Sequence, residues 1–121
     1  MTRFEFTPPS PAFAGLLSVL LVRDPHVEVT ASTIEVRLGW AFTASIPRAA
    51  VTTAVPDDRS VWGWGAHTSG RGRWLVNTSS KGLVRLSIDP AVRARTTGIP
   101  VSLRELRVSL ADRDAFLAAL T

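Results

Sequence analysis

The 121-residue chain contains no cysteine. This absence removes disulfides, thiolate metal sites and cysteine nucleophiles together, and fits a reducing, cytoplasmic setting, which is the expected location. Histidine is scarce. His26 and His67 stand far apart, and no His-x-x-x-His or Glu-x-x-His spacing accompanies them. A metal centre is therefore not expected. Lys81 is the only lysine among 14 basic residues, the other 13 being arginine, a bias that reflects genome composition more often than function. No apolar run is long. Residues 15–22 are apolar, but a membrane-spanning helix needs about 20 residues. Arg3, Glu5 and the prolines at 8, 9 and 11 precede that run, which does not make a secretory leader. There is neither a G-x-S-x-G elbow nor a phosphate-binding G-x-x-x-x-G-K-[ST] loop. The closest carboxylate pair, Asp57-Asp58, lies between Pro56 and Arg59. That is the pattern of a solvated turn, whereas paired catalytic carboxylates face each other from separate elements. Neither a catalytic site nor a cofactor is expected.

What is present points to a packed β-rich domain. Apolar residues make up 45% of the chain and charged residues 20%, enough to form a core and too apolar for disorder. The length suits one domain, residues 1–121. It divides into an N-terminal arm and helix (1–25), a strand region (26–110) and a C-terminal helix (112–121). Phe4 and Phe6 alternate with polar residues and suggest a short edge strand, stopped by the prolines. Ser10 with Pro11 suits a helix start, and Phe13, Leu16 and Leu17 follow at helical spacing. From His26 the period becomes two. Val27 and Val29, then Ile34, Val36 and Leu38, predict a hairpin turning at Ala31-Ser32. Trp40, Phe42, Ala44 and Ile46 predict a third strand ended by Pro47, and residues 48–55 read as a turn or a single helical turn.

The stretch from 60 to 88 organises the rest. It holds three of the four tryptophans and five of the eight glycines. It predicts three strands separated by turns at residues 69–72 and 79–82. Gly70-Arg71-Gly72 lies between strand-like runs, so it reads as a hairpin turn and not as a phosphate loop. Residues 91–100 read as a polar connection, and residues 101–110 as a last strand with Leu106, Val108 and Leu110 inward. Asp112 is a predicted N-cap for a terminal helix that places Phe116 and Leu120 on one face.

The runs Ile46-Pro47-Arg48, Trp62-Gly63-Trp64-Gly65, Arg73-Trp74-Leu75-Val76-Asn77-Thr78, Gly82-Leu83-Val84-Arg85-Leu86 and Asp114-Ala115-Phe116-Leu117-Ala118-Ala119-Leu120 resemble a bacterial pleckstrin-homology-like (PH-like) domain of the kind found in small actinobacterial proteins. The resemblance spans the chain from Val27 onward. It implies a mainly β (α+β) fold: an antiparallel β-barrel of about seven strands whose C-terminal helix plugs one mouth. The short N-terminal helix is additional to that pattern.

Charge supplies the remaining clue. Between residues 71 and 95 stand Arg71, Arg73, Lys81, Arg85, Arg93 and Arg95 against the single acid Asp89, a local balance of +5 compared with +4 for the whole chain. Arg73 and Arg85 fall at outward positions and are expected to lie side by side. A solvated arginine face explains such a run; an anionic partner is the functional alternative. The expected function is a non-catalytic interaction or scaffold module. A protein partner comes first and an anionic membrane surface second. Nucleic acid is not expected, and exposed strand edges allow a homodimer. A barrel holding a small apolar ligand is the alternative.

Overall fold

The computed structural model describes residues 2–7, 25–57, 65–78 and 81–120. The alternating runs become strands: β1 (Thr2–Glu5), β2 (His26–Val29), β3 (Thr33–Leu38), β4 (Phe42–Pro47), β5 (Val51–Pro56), β6 (Gly65–Gly70), β7 (Arg73–Asn77), β8 (Leu83–Thr96) and β9 (Ile99–Ser109). A 3-10 turn, Arg48–Ala50, links β4 to β5, and helix α1 (Arg113–Ala119) follows β9. All nine strands belong to one sheet, ordered β1-β2-β3-β4-β8-β9-β7-β6, with β5 also on β8.

Period-two burial explains the strands. Val27, Val29, Ile34, Val36, Leu38, Phe42, Ala44 and Ile46 are all buried, while the residues between them are not. Such alternation gives a sheet one dry and one wet face. β4 and β5 take successive lengths of one edge of β8, pairing with residues 94–96 and 84–88 respectively. The corner between them is the 3-10 turn. Opposite it, β8 and β9 lose register between Ser87 and Val92. Four residues of β8 there face a single residue of β9, and an insertion of this kind bends the strand that carries it. The expected polar connection at residues 91–100 is thus mostly strand. Asp89 and Pro90, joined by a cis peptide bond, sit where the ladder is interrupted, so proline's missing N–H is tolerated.

The mainly β fold with a C-terminal helix is observed, but the sheet differs from the expected antiparallel barrel of about seven strands. Among the described residues there are nine strands, the sheet is open, and one named strand pair, β7 with β9, is parallel. β1 reaches β9 only through the isolated bridge Phe6↔Leu110. Thr7 N donates to Ser109 O at 2.9 Å and Ala111 N to Glu5 O at 3.0 Å. Pro8 and Pro9 follow in the sequence and offer no N–H to extend this pairing. The expected N-terminal helix between Ser10 and Arg23 lies outside the described residues, as do Trp62 and Trp64.

The parallel pair has a further consequence. β7 and β8 are not adjacent, because β9 lies between them. The chain that joins them must pass the end of β9, and Gly82 makes that passage close. Gly82 O accepts from Leu110 N at 2.8 Å. Its φ is +71°, and a Cβ there would stand 2.1 Å from Leu110 O. Thr78 N donates to Ser109 Oγ at 2.9 Å, Thr78 Oγ1 donates to Thr7 O, and Thr7 Oγ1 donates to Lys81 O at 2.9 Å.

Helix α1 closes this side of the core. Asp112 accepts from Ala115 N at 3.1 Å, as expected of an N-cap. Phe116 is fully buried and meets Phe4 edge-to-face, ring centroids 5.3 Å apart. Truncating it removes a large buried ring, so Phe116→Ala is expected to cost about 3–5 kcal/mol in urea unfolding; a loss below about 1 kcal/mol would show that the helix does not hold the core together. Gly82→Ala is expected to cost about 3 kcal/mol or more by the same measurement, since both the positive φ and the contact with Leu110 resist a side chain.

Candidate functional site

Register places each of the predicted basic residues. On the wet face of the second half of the sheet, one lateral row reads His67, Leu75, Arg107, Arg85, Val55. The next reads Arg73, Glu105, Ser87, Thr53. Arg73 and Arg85 share this face, but they are not side by side. β9 lies between them, setting Glu105 next to Arg73 and Arg107 next to Arg85. Arg71 occupies the β6–β7 turn with φ +57°, beside Gly72, whose O accepts from Arg104 N at 2.8 Å and from Glu105 N at 3.1 Å. Lys81 lies apart from these, in the passage over the end of β9. Arg93 and Arg95 lie beyond the bend, opposite Ser102 and Pro100. The six residues that cluster in sequence are thus spread over three places.

Two arginines beyond residue 95 join the face. The Arg104 stem packs over Gly72, where a Cβ would be 3.1 Å from Arg104 Cγ. Arg107 stands across from Arg85. Alternation with Leu106 and Val108 marks Arg107 as outward, but its lateral neighbours depend on β9 lying between β7 and β8.

Like charges directly opposite one another destabilise a sheet, and Asp57 relieves this pair. Arg107 Nε donates to Asp57 Oδ2 at 2.8 Å. The side chains are 15% and 4% exposed. Asp57 N also donates to Leu83 O at 2.9 Å, tying the end of β5 to β8. The expected solvated turn at Asp57-Asp58 is corrected for Asp57: burial beside a guanidinium replaces solvation. Asp58 lies outside the described residues.

The other arginines of this region have no such partner. Among the described residues Arg71, Arg73, Arg85, Arg93 and Arg104 form neither an ion pair nor a side-chain hydrogen bond. Arg95 touches only a carbonyl, Gly98 O, at 3.5 Å. Acids on the first three strands have basic neighbours. Glu5 pairs with Arg3 at 2.6 Å, Glu28 with His26 at 3.2 Å and Glu35 with Arg37 at 3.5 Å, all on β1, β2 and β3. The first half of the wet face pairs its arginines with acids, and the second half is left positive.

Aromatic and groove features complete the surface. Trp74 is half-buried against Phe42, ring centroids 5.8 Å apart, as expected of a packing tryptophan. Trp40, expected to alternate inward with Phe42, instead sits in the β3–β4 turn and is 48% exposed. Open grooves of about 430 Å³ beside Ala91–Arg93 and Pro100–Ser102, 230 Å³ beneath Leu117 and Leu120, and 180 Å³ beside His67, Arg73 and Arg107 mark the surface. Among the described residues no group of three histidine, cysteine or acidic side chains converges as a metal site, and no helix is long and apolar enough to cross a membrane.

Compared with protein-family models, with curated proteins and with solved structures, the chain matches none.

The Asp57–Arg107 pair makes a direct test of the site's construction. Asp57→Ala strands a guanidinium that is mostly buried, and the expected cost is about 3–5 kcal/mol in chemical denaturation. Asp57→Ala with Arg107→Met removes the stranded charge and is expected to recover a large part of that loss. Equal stability of the single and double variants would show that the ion pair does not hold β5 to the sheet.

Proposed function

We propose that this chain is a non-catalytic PH-like interaction module of the cytoplasm, and that its arginine-bearing face meets an acidic surface on a protein partner. The observation that carries this reading is the set of arginines, Arg71, Arg73, Arg85, Arg93 and Arg104, with no ion pair among the described residues. Guanidinium groups held on a sheet without carboxylate partners raise the local potential, attract an anionic partner and pay little desolvation until it arrives. The mainly β sheet with a C-terminal helix is compatible with the PH-like resemblance of the sequence. Lys81 belongs to a different end of the molecule and is not part of the proposed surface.

The alternative, a barrel holding a small apolar ligand, finds less support. Phe42, Phe116, Leu38, Leu86, Leu103 and Leu106 fill the interior with no exposed surface beyond 1%, and a ligand pocket of this class requires enclosed, mostly apolar space.

A protein partner and an anionic membrane predict different retention. Wild-type protein is expected to bind immobilised poly-glutamate and heparin at low salt, and to elute as ionic strength rises. Charge reversal of Arg73→Glu together with Arg85→Glu is expected to abolish retention on both. Retention only on vesicles containing phosphatidylserine would replace the protein partner with a membrane, and absence of retention on every anionic support would overturn the reading.

A further inference from the structure

β9 is longer than its neighbour. β7 covers it only from Glu105 to Val108. From Ile99 to Leu103 the edge of β9 that faces away from β8 carries no strand among the described residues. The 430 Å³ groove lies over the neighbouring β8–β9 pair, lined by Ala91, Val92 and Arg93 of β8 and Pro100, Val101 and Ser102 of β9.

The backbone of that edge can be read residue by residue. Arg104 N points to the β7 side, where it donates to Gly72 O. In an extended strand, residues two apart present their N–H and C=O to the same side. Ser102 and Pro100 therefore face the open edge, and both are exposed. Pro100 has no N–H to offer, so pairing there is short: the Ser102 N–H and C=O, and the Pro100 C=O. A short ladder of this kind resists indiscriminate strand addition and still admits one extended segment in a set register.

The two faces beside the slot differ. On the wet face stand Arg93 opposite Ser102 and Arg95 opposite Pro100. Ser102 and Pro100 are short, and Arg93 and Arg95 stand one strand back from the slot, with Arg95 directed to Gly98 O at 3.5 Å. Arg71 and Arg104 flank its lower end, at Gly72. On the other face stand Val101, half-buried, and Ile99, 62% exposed. A strand added here would turn alternate side chains toward arginine and toward Ile99 and Val101.

We infer that the open edge of β9, residues 99–103, binds an extended segment of a partner protein in which acidic and apolar residues alternate. This rests on the reading of the arginines as a partner surface, and it adds where the partner lies and what sequence pattern it carries. A second copy of this chain does not suit the slot, since its own β9 edge presents Pro100 and Ser102 and offers no acid to meet Arg93 and Arg95.

The test uses two labelled peptides of one composition, acetyl-Val-Glu-Val-Glu-Val-Glu-amide and acetyl-Val-Val-Val-Glu-Glu-Glu-amide, in fluorescence anisotropy at low salt with the full chain. The alternating peptide is expected to bind at least tenfold more tightly. It is also expected to slow hydrogen exchange at the Ser102 amide in the unaltered protein. Ser102→Pro removes that amide without changing charge, and is expected to weaken the alternating peptide at least tenfold while leaving heparin retention unchanged. Equal affinity for the two peptides, or an unprotected Ser102 amide in the bound state, would overturn the slot and leave the arginine surface standing. Loss of both peptide binding and heparin retention in the unaltered protein would overturn both.

Discussion

The fold depends on the placement of β9 between β7 and β8, two strands that the chain joins directly. A connection between adjacent antiparallel strands would be an ordinary hairpin. Here it must pass the end of an intervening strand, and the backbone at Gly82 comes within hydrogen-bonding distance of Leu110. Only a residue without a side chain fits there, because a Cβ would overlap the Leu110 carbonyl. Thr7, Thr78 and Ser109 gather at the same point and hydrogen-bond across it. One strand placement thus brings the first strand, the passage and the last strand together, and leads into the helix that carries Phe116.

The same placement arranges the charges. With β9 in between, Arg73 gains Glu105 as a neighbour and Arg85 gains Arg107. The crowding of Arg85 and Arg107 is relieved from a third strand, through Asp57 at the end of β5. Acids on β1 and β3 pair with nearby arginines, and the excess positive charge lies on the β7–β9–β8 side and beyond its bend. β9 also outruns β7, so that among the described residues an edge without a strand partner lies next to arginines without an ion pair. Strand order, charge distribution and open edge are consequences of a single topological choice, and together they give the proposed module its partner-facing side.

Much of the secondary structure was legible in residue order. Val27, Val29, Ile34, Val36 and Leu38 alternate strictly, and burial of one face of a pleated strand demands that alternation. Asp112 and Phe116 were equally readable, since a cap and an apolar helical position are local features. Residues 89–100 were not. Asp89-Pro90 reads as a strand ending because proline cannot donate to a ladder. It lies within β8 because the register break there leaves no ladder bond for it to lose. Trp40 was misread for a related reason: it continues the alternation of Phe42 and Ala44, yet it falls in the turn, where the period no longer sets the side-chain direction. Of the proposed surface, the basic residues were visible and their company was not. Lys81 belongs to the run by proximity in sequence alone, whereas Arg104 and Arg107 belong to the surface by proximity in space.

The sequence by itself determined the mainly β class, the terminal helix with its cap, the identity of most core positions and the surplus of arginine. These follow from local periodicity, intrinsic turn chemistry and composition. The tertiary structure alone decided that β9 separates β7 from β8, that β7 and β9 run parallel, that Asp57 is buried against Arg107, and that residues 99–103 of β9 carry no strand on the edge away from β8 among the described residues. Each of these depends on contacts between residues far apart in the chain. A period of two says which face of a strand is dry, but it is silent on which strand lies beside it.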